Sequence, residues 1–134
     1  MVPGNEIINF KELNEIKKIF TKSDGVLFAH GFDERRRKIF RVREFEKKIS
    51  KKFGSKYVQC VSSGTAAIKI ALKSLGVKPG DEVITQSFNF IATIEAILDC
   101  GAKPIITGIN NDLNMPVEHL PKLITKKTKA IILV

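Results

Sequence analysis

From residue 57 onward, short apolar runs rich in branched residues alternate with stretches of helical periodicity, and that alternation restricts the fold more than any single motif does. Residues 57–61, 82–85, 103–107 and 129–134 read as strands. Between the first two, Ala67, Ile68, Ala71, Leu72 and Leu75 recur at helical spacing, which predicts a buried stripe with Lys69 and Lys73 on the opposite face. Gly76 closes that helix, and Lys78-Pro79-Gly80-Asp81 turns the chain into the next strand. Asn89 reads as the cap of a helix reaching Cys100, and residues 117–124 as a shorter helix beyond the polar turn 110–114. Strand, helix and strand in repeated order, with near-continuous apolar strands, require an α/β fold. Its sheet is mostly parallel, with helices on both faces.

Within this frame the most chemically suggestive stretch is Ser62-Ser63-Gly64-Thr65-Ala66-Ala67, where a predicted strand passes directly into a helix. Such a junction presents unpaired backbone N–H groups and the positive end of the helix dipole, here beside hydroxyls, and phosphate is the usual guest. Ser63 or Thr65 acting only as a helix cap is the competing reading, and these residues alone do not separate the two. In open parallel sheets ligands gather at the carboxyl ends of strands, where residues 85–90 also fall. Two candidate ligand loops therefore share one rim.

The first third of the chain is helical in character. Asn9 and Glu12 form a capping-box pattern, with Leu13, Ile16 and Phe20 on one face, Lys11, Lys17 and Lys18 on the other, and a stop near Lys22 at Ser23-Asp24-Gly25. Residues 25–32 read as a loop or edge segment, in which His30 is a surface or packing residue. Val42, Phe45, Ile49 and Phe53 then mark an amphipathic helix from about Arg41, ended by Gly54. The organisation expected is a helical segment over residues 1–55, packing on the strands and helices of residues 56–134.

At 134 residues and 43% hydrophobic content the chain suits one globular unit. No apolar run is long enough to span a bilayer and the start is polar without a leader pattern, so a soluble cytoplasmic protein is expected. Cys60 and Cys100 sit in apolar contexts without metal-ligand spacing and are read as buried small hydrophobes, leaving no metal site. A formal net charge of +9 is concentrated between Arg35 and Lys56, which raises a basic nucleic-acid-binding module as the rival from another class. The helical spacing beneath those cations, and the lack of interleaved aromatics on the basic face, make nucleic acid an unlikely partner.

Taken together, the Ser62 to Ala67 turn, Pro79-Gly80-Asp81-Glu82-Val83-Ile84-Thr85, Ser87-Phe88-Asn89-Phe90-Ile91-Ala92-Thr93 and Gly101-Ala102-Lys103-Pro104 resemble the DegT/StrS family of pyridoxal-phosphate sugar aminotransferases, which share the aspartate-aminotransferase (type I) fold. Arg43-Glu44-Phe45-Glu46 upstream and residues 125–132 downstream extend the resemblance over most of the chain. It implies a partial type I large domain truncated at its C-terminus, with pyridoxal 5′-phosphate as cofactor. Ser63, Gly64, Thr65 and Ala66 would hold the cofactor phosphate, and Phe90 would stack on its ring. Asn89 stands where threonine is common in the family; Asp81 and Glu82 are assigned structural roles.

The same resemblance places the Schiff-base lysine, the aspartate facing the pyridine nitrogen and the residues contributed across the family homodimer beyond Val134, so no catalytic residue is assigned within the chain. It further implies amino transfer, from glutamate, to a keto-sugar nucleotide used for polysaccharide or glycoconjugate synthesis. A family dehydratase, a regulatory relative or an inactive remnant are the alternatives, and a complementing C-terminal polypeptide is a conceivable partner. In the family's strand order, 3-2-4-5-6-7-1, the strands at Val83, Ile105 and Ile131 pair together while residues 57–61 lack a neighbour. An isolated chain of this kind is expected to be marginally stable or prone to aggregation.

Overall fold

The computed structural model describes residues 8–22, 34 and 39–134. His30, the turn at Ser23-Asp24-Gly25, the segment 25–32 and the basic run from Arg35 to Lys38 lie outside the described residues. The chain divides into two compact units, Met1–Gln59 and Cys60–Val134.

In the first unit, α1 (Phe10–Lys22) opens on a reciprocal capping box. The Asn9 N–H donates to Glu12 Oε2 at 2.7 Å and the Lys11 N–H donates to Asn9 Oδ1 at 2.9 Å. Helix α2 (Arg41–Phe53) stops at Gly54, whose φ of 67° is the left-handed conformation that favours glycine. Arg41 pairs with Glu15 at 3.1 Å and with Glu44 at 2.8 Å, so one guanidinium joins the two helices. Neither helix buries a residue: Leu13, Ile16, Phe20, Val42, Phe45 and Phe53 are all exposed.

The second unit is built on a parallel three-stranded sheet. Strand β1 (Glu82–Gln86) lies centrally, flanked by β2 (Lys103–Thr107) and β3 (Thr128–Ile132). This is the pairing expected of the strands at Val83, Ile105 and Ile131. Helix α3 (Gly64–Ser74) precedes β1, and α4 (Ile91–Leu98) crosses from β1 to β2. A 3-10 turn (Val117–His119) runs into the short α5 (Leu120–Leu123) between β2 and β3.

Strand alternation decides which layer each side chain joins. Val83 faces α3 and α4, where Leu72, Val77, Ile97, Cys100 and Ala102 close a core flanked by Ile68, Ala130 and Ile132. Ala130 is the register partner of Val83 and Ile132 that of Thr85, so both belong to this face. Ile84 and Gln86 point the other way. There Thr107, paired with Gln86, has its Oγ1 3.4 Å from His119 Nδ1, which puts the 3-10 turn on the second face. The helices therefore cover both faces of the sheet.

Several sequence expectations need correction. Residues 57–61 form no strand: the segment is irregular, because a strand exists only through a ladder and no described edge pairs with it. The buried stripe of α3 is narrower than its periodicity suggested, since only Leu72 is buried and Ile68 packs partly, while Ala67, Ala71 and Leu75 are exposed. Lys69 does not share a free face with Lys73; its Nζ reaches Asp99 Oδ2 at 2.7 Å, which raises its pKa above the ordinary lysine value through that hydrogen bond. Cys100 is buried as expected, whereas Cys60 is only half-buried. Asn89 is not the cap of α4, which spans Ile91–Leu98 and stops short of Cys100: Phe90 keeps an extended backbone with φ −72° and ψ 136° and occupies the cap position itself.

Candidate functional site

Ser63 is the N-cap of α3, in extended conformation, and its hydroxyl accepts the Ala66 N–H at 3.1 Å. The Ala67 N–H goes to the Ser63 carbonyl at 3.0 Å. The cap and the anion site are thus not alternatives. Capping uses the Ala66 N–H, and leaves the N–H groups of Gly64 and Thr65 at the helix start without an intrahelical acceptor. Thr65 is half-buried beside them, with its hydroxyl in the first turn. A Cβ built on Gly64 would meet no atom within 4 Å beyond its own helix and chain neighbours. Two backbone donors, a hydroxyl and the positive helix end suit a phosphate.

The position of α3 follows from what comes after it. Gly76, with φ 77°, ends the helix, and the turn through Gly80 leads into the amino end of β1. Lys69 reaches Asp99, just past the end of α4 and before the amino end of β2, and the carboxyl end of α3 leads to the amino end of β1, so α3 runs with its Ser63 end away from the amino ends of the strands.

At that rim β1 passes into the segment 87–90. The Ser87 N–H donates to the Thr107 carbonyl at 2.9 Å, extending the ladder by one residue. Gln86, 2% exposed, uses its side-chain amide to donate to the carbonyls of Phe88 and Leu113, each at 3.0 Å. The Thr93 N–H donates to the Phe90 carbonyl at 3.0 Å, the opening bond of α4. Phe90 is left 77% exposed, although it is large and apolar and its backbone is held on both sides. An aromatic in the open has a face that can pack against a flat ligand, and neighbouring Phe88 is exposed as well.

The structural roles expected of the acids near β1 hold. Asp81 Oδ2 accepts the Lys78 N–H at 3.0 Å, closing the turn before the strand, and Glu82 Oε2 accepts the Thr125 hydroxyl at 2.6 Å. Lys69 is ion-paired and protonated, so it is a poor nucleophile. Among the described residues no group of His, Cys, Asp or Glu could hold a metal ion, and no helix is long and apolar enough to cross a membrane.

The basic side of α2 presents Lys47, Lys48, Lys51 and Lys52, all exposed. Cations of this unit lie near aromatic rings: Arg43 is 4.5 Å from the Phe40 ring centre, Lys52 5.7 Å from Phe53 and Lys56 5.1 Å from Tyr57. Each ring is already faced by a neighbouring cation of its own segment. The polar residues that sequence reasoning missed are Thr85, Gln86, Thr93 and Thr107, all buried at or near the sheet rim. Polar residues closing an apolar strand were the available signal, and only the packed structure shows what they hold.

Comparison with known proteins identifies the family. Residues 37–134 match the DegT/DnrJ/EryC1/StrS aminotransferase family. The spore coat polysaccharide biosynthesis protein SpsC of Bacillus subtilis is 40% identical over 93 residues, which is 69% of this chain and 24% of that protein. A UDP-2-acetamido-2-deoxy-3-oxo-D-glucuronate aminotransferase of Pseudomonas aeruginosa is 42% identical over 92 residues, 68% of this chain and 26% of the relative. Among solved structures, an E. coli GDP-4-keto-6-deoxy-D-mannose-3-dehydratase with bound hydrated pyridoxal phosphate superposes with a TM-score of 0.76 at 28% identity, over 95% of this chain and 32% of that one. The chain spans about a quarter of the length of the curated relatives it matches. With the motifs, the sheet order and these matches in agreement, the chain belongs to the DegT/DnrJ/EryC1/StrS aminotransferase family.

Proposed function

We propose that this chain forms the phosphate-and-ring side of a pyridoxal 5′-phosphate site, in an enzyme that transfers an amino group from glutamate to a keto-sugar nucleotide for polysaccharide or glycoconjugate synthesis. The observation that carries the reading is the start of α3, where Gly64 and Thr65 keep free N–H donors beside the Thr65 hydroxyl while Ser63 caps the helix. Pyridoxal phosphate, when bound, supplies an electron sink conjugated to the carbon from which a proton is removed. The residues present fit it. Gly64 and Thr65 would bind the phosphate dianion through backbone donors aligned with the helix dipole, and Ser63 can donate its hydroxyl hydrogen while accepting from Ala66. Phe90 would support one face of the pyridine ring and exclude water from it. These contacts bind and orient; proton transfer requires a lysine and an aspartate that we read as lying outside these residues. We read the working enzyme as a cytoplasmic homodimer.

Dehydration of a keto-sugar nucleotide is a second reading, supported by the likeness to the E. coli dehydratase. Whether lysine or histidine faces the cofactor in the remainder of the site would distinguish the two.

Titration of the chain with pyridoxine 5′-phosphate, which lacks the aldehyde that surface lysines would capture, tests the site. The Gly64 and Thr65 amide resonances should shift with this ligand and with inorganic phosphate, and Thr65→Ala should weaken both affinities by roughly tenfold or more. Shifts confined to the lysines of α2, with Gly64 and Thr65 unmoved, would refute the assignment.

A further inference from the structure

A single amide joins the end of β1 to the first turn of α4. Asn89 Nδ2 donates to Thr85 Oγ1 at 3.0 Å, and Thr93 Oγ1 donates to Asn89 Oδ1 at 2.9 Å. Both hydroxyls are sequestered, Thr85 at 0% and Thr93 at 4% exposure, so Asn89 is the group that satisfies them across the turn. This is not helix capping, for the side chain of Asn89 meets hydroxyls and no backbone N–H of α4 in these bonds. The residue that follows is Phe90, extended at φ −72° and ψ 136° and left exposed.

The other bonds of the turn hold backbone around Phe90, namely the Ser87 N–H on the Thr107 carbonyl, the Gln86 amide on the Phe88 carbonyl and the Thr93 N–H on the Phe90 carbonyl. They leave the peptide plane between Asn89 and Phe90 to be set by side chains. Spanning from the strand to the helix, the Asn89 amide supplies that restraint in both directions. We propose that Asn89 is a positioning residue whose Thr85–Asn89–Thr93 bridge fixes the turn so that Phe90 presents a preorganised apolar face to a planar heteroaromatic ligand. The proposal rests on the reading of Phe90 as the ring partner of the cofactor. Its physical content is that ring binding depends on Asn89 while phosphate binding does not, because the phosphate donors belong to a different helix.

The test compares pyridoxine 5′-phosphate with inorganic phosphate on the chain and on Asn89→Ala, Asn89→Asp and Phe90→Ala. Asn89→Ala should lower affinity for pyridoxine 5′-phosphate about tenfold and leave that for inorganic phosphate within about twofold. Asn89→Asp keeps an acceptor for Thr93 and lets the Thr85 hydroxyl donate instead, and should restore most of the loss. Amide exchange in the free chain supplies a readout that needs no ligand: Asn89→Ala should speed exchange at Ser87 and Thr93 about tenfold and spare Ile84 in the strand. Equal losses for both ligands, or unchanged exchange at Ser87 and Thr93, would overturn the positioning role. Phe90→Ala with undiminished ring affinity would instead overturn the ring assignment, and with it the role of Asn89 toward a ligand. An effect of Phe90→Ala without one of Asn89→Ala would overturn the positioning role alone.

Discussion

Helices α1 and α2 carry strongly segregated apolar faces and bury no residue, whereas α4, apolar almost all round, buries Ala92, Thr93, Ala96 and Ile97. The pattern that best announces a core-facing helix therefore occurs where no core is formed among the described residues. Periodicity records which face of a helix is apolar. It does not record whether a partner surface is present. The same contrast separates the segment 57–61, which has strand composition but no ladder, from β1, which is paired on both sides.

Core truncation should expose the difference most strongly. Ile97→Ala removes a fully buried side chain and should destabilise the second unit by about 2–5 kcal/mol, read from urea unfolding by circular dichroism. Phe45→Ala, on the exposed face of α2, should leave the same transition nearly unchanged. A cost for Phe45→Ala comparable to that for Ile97→Ala would show that the face of α2 is covered in solution, and would break the comparison.

A pair of glycines sharpens it at intermediate magnitude. Gly101 has φ 75°, and a Cβ there would meet Pro79 Cγ at 2.7 Å, so Gly101→Ala should cost about 1–3 kcal/mol. Gly64 has open space around the same position, and Gly64→Ala should change stability by no more than about 0.5 kcal/mol. That outcome would allow the helix start to be tested for ligand binding without disturbing the fold. An equally damaging Gly64→Ala would place the start of α3 in a packed environment.

The smallest effect belongs to Lys69→Met. The Lys69–Asp99 pair is exposed on both sides and screened by water, so its contribution is marginal. The hydrogen bond to Asp99 raises the Lys69 pKa above 10.5, so the contribution is present in full below that unfolded value and is lost as pH rises through the higher folded one. Urea midpoints of the parent and Lys69→Met should differ slightly at neutral pH and converge at strongly alkaline pH. A gap that widened with pH would assign the opposite sign to the pair.

Much of the fold was legible in residues whose local chemistry agrees with their tertiary role. Asn9 and Glu12 cap α1, Gly54 and Gly76 end their helices in left-handed conformations, and the apolar runs at Val83, Ile105 and Ile131 pair as parallel strands. The start of α3 was legible too, because Ser63 stands as a cap residue directly before a helical stripe. What the turn would do with each donor was not. Ser63 turned out to cap and to free Gly64 and Thr65 in the same arrangement, a division that depends on where its side chain points.

Residues 85–93 show the boundary most clearly. The order of residues alone determined that an apolar strand ends near Thr85, that a helix follows, and that an aromatic stands between them, since all three depend on neighbours along the chain. That Asn89 bridges two buried hydroxyls, that Gln86 reaches Leu113 in the turn after β2, and that Phe90 stays exposed while Ile84 vanishes into the core were decided only by packing. These depend on residues distant in sequence and on which groups water can no longer reach. Burial is a property of the assembled layers, and no local pattern contains it.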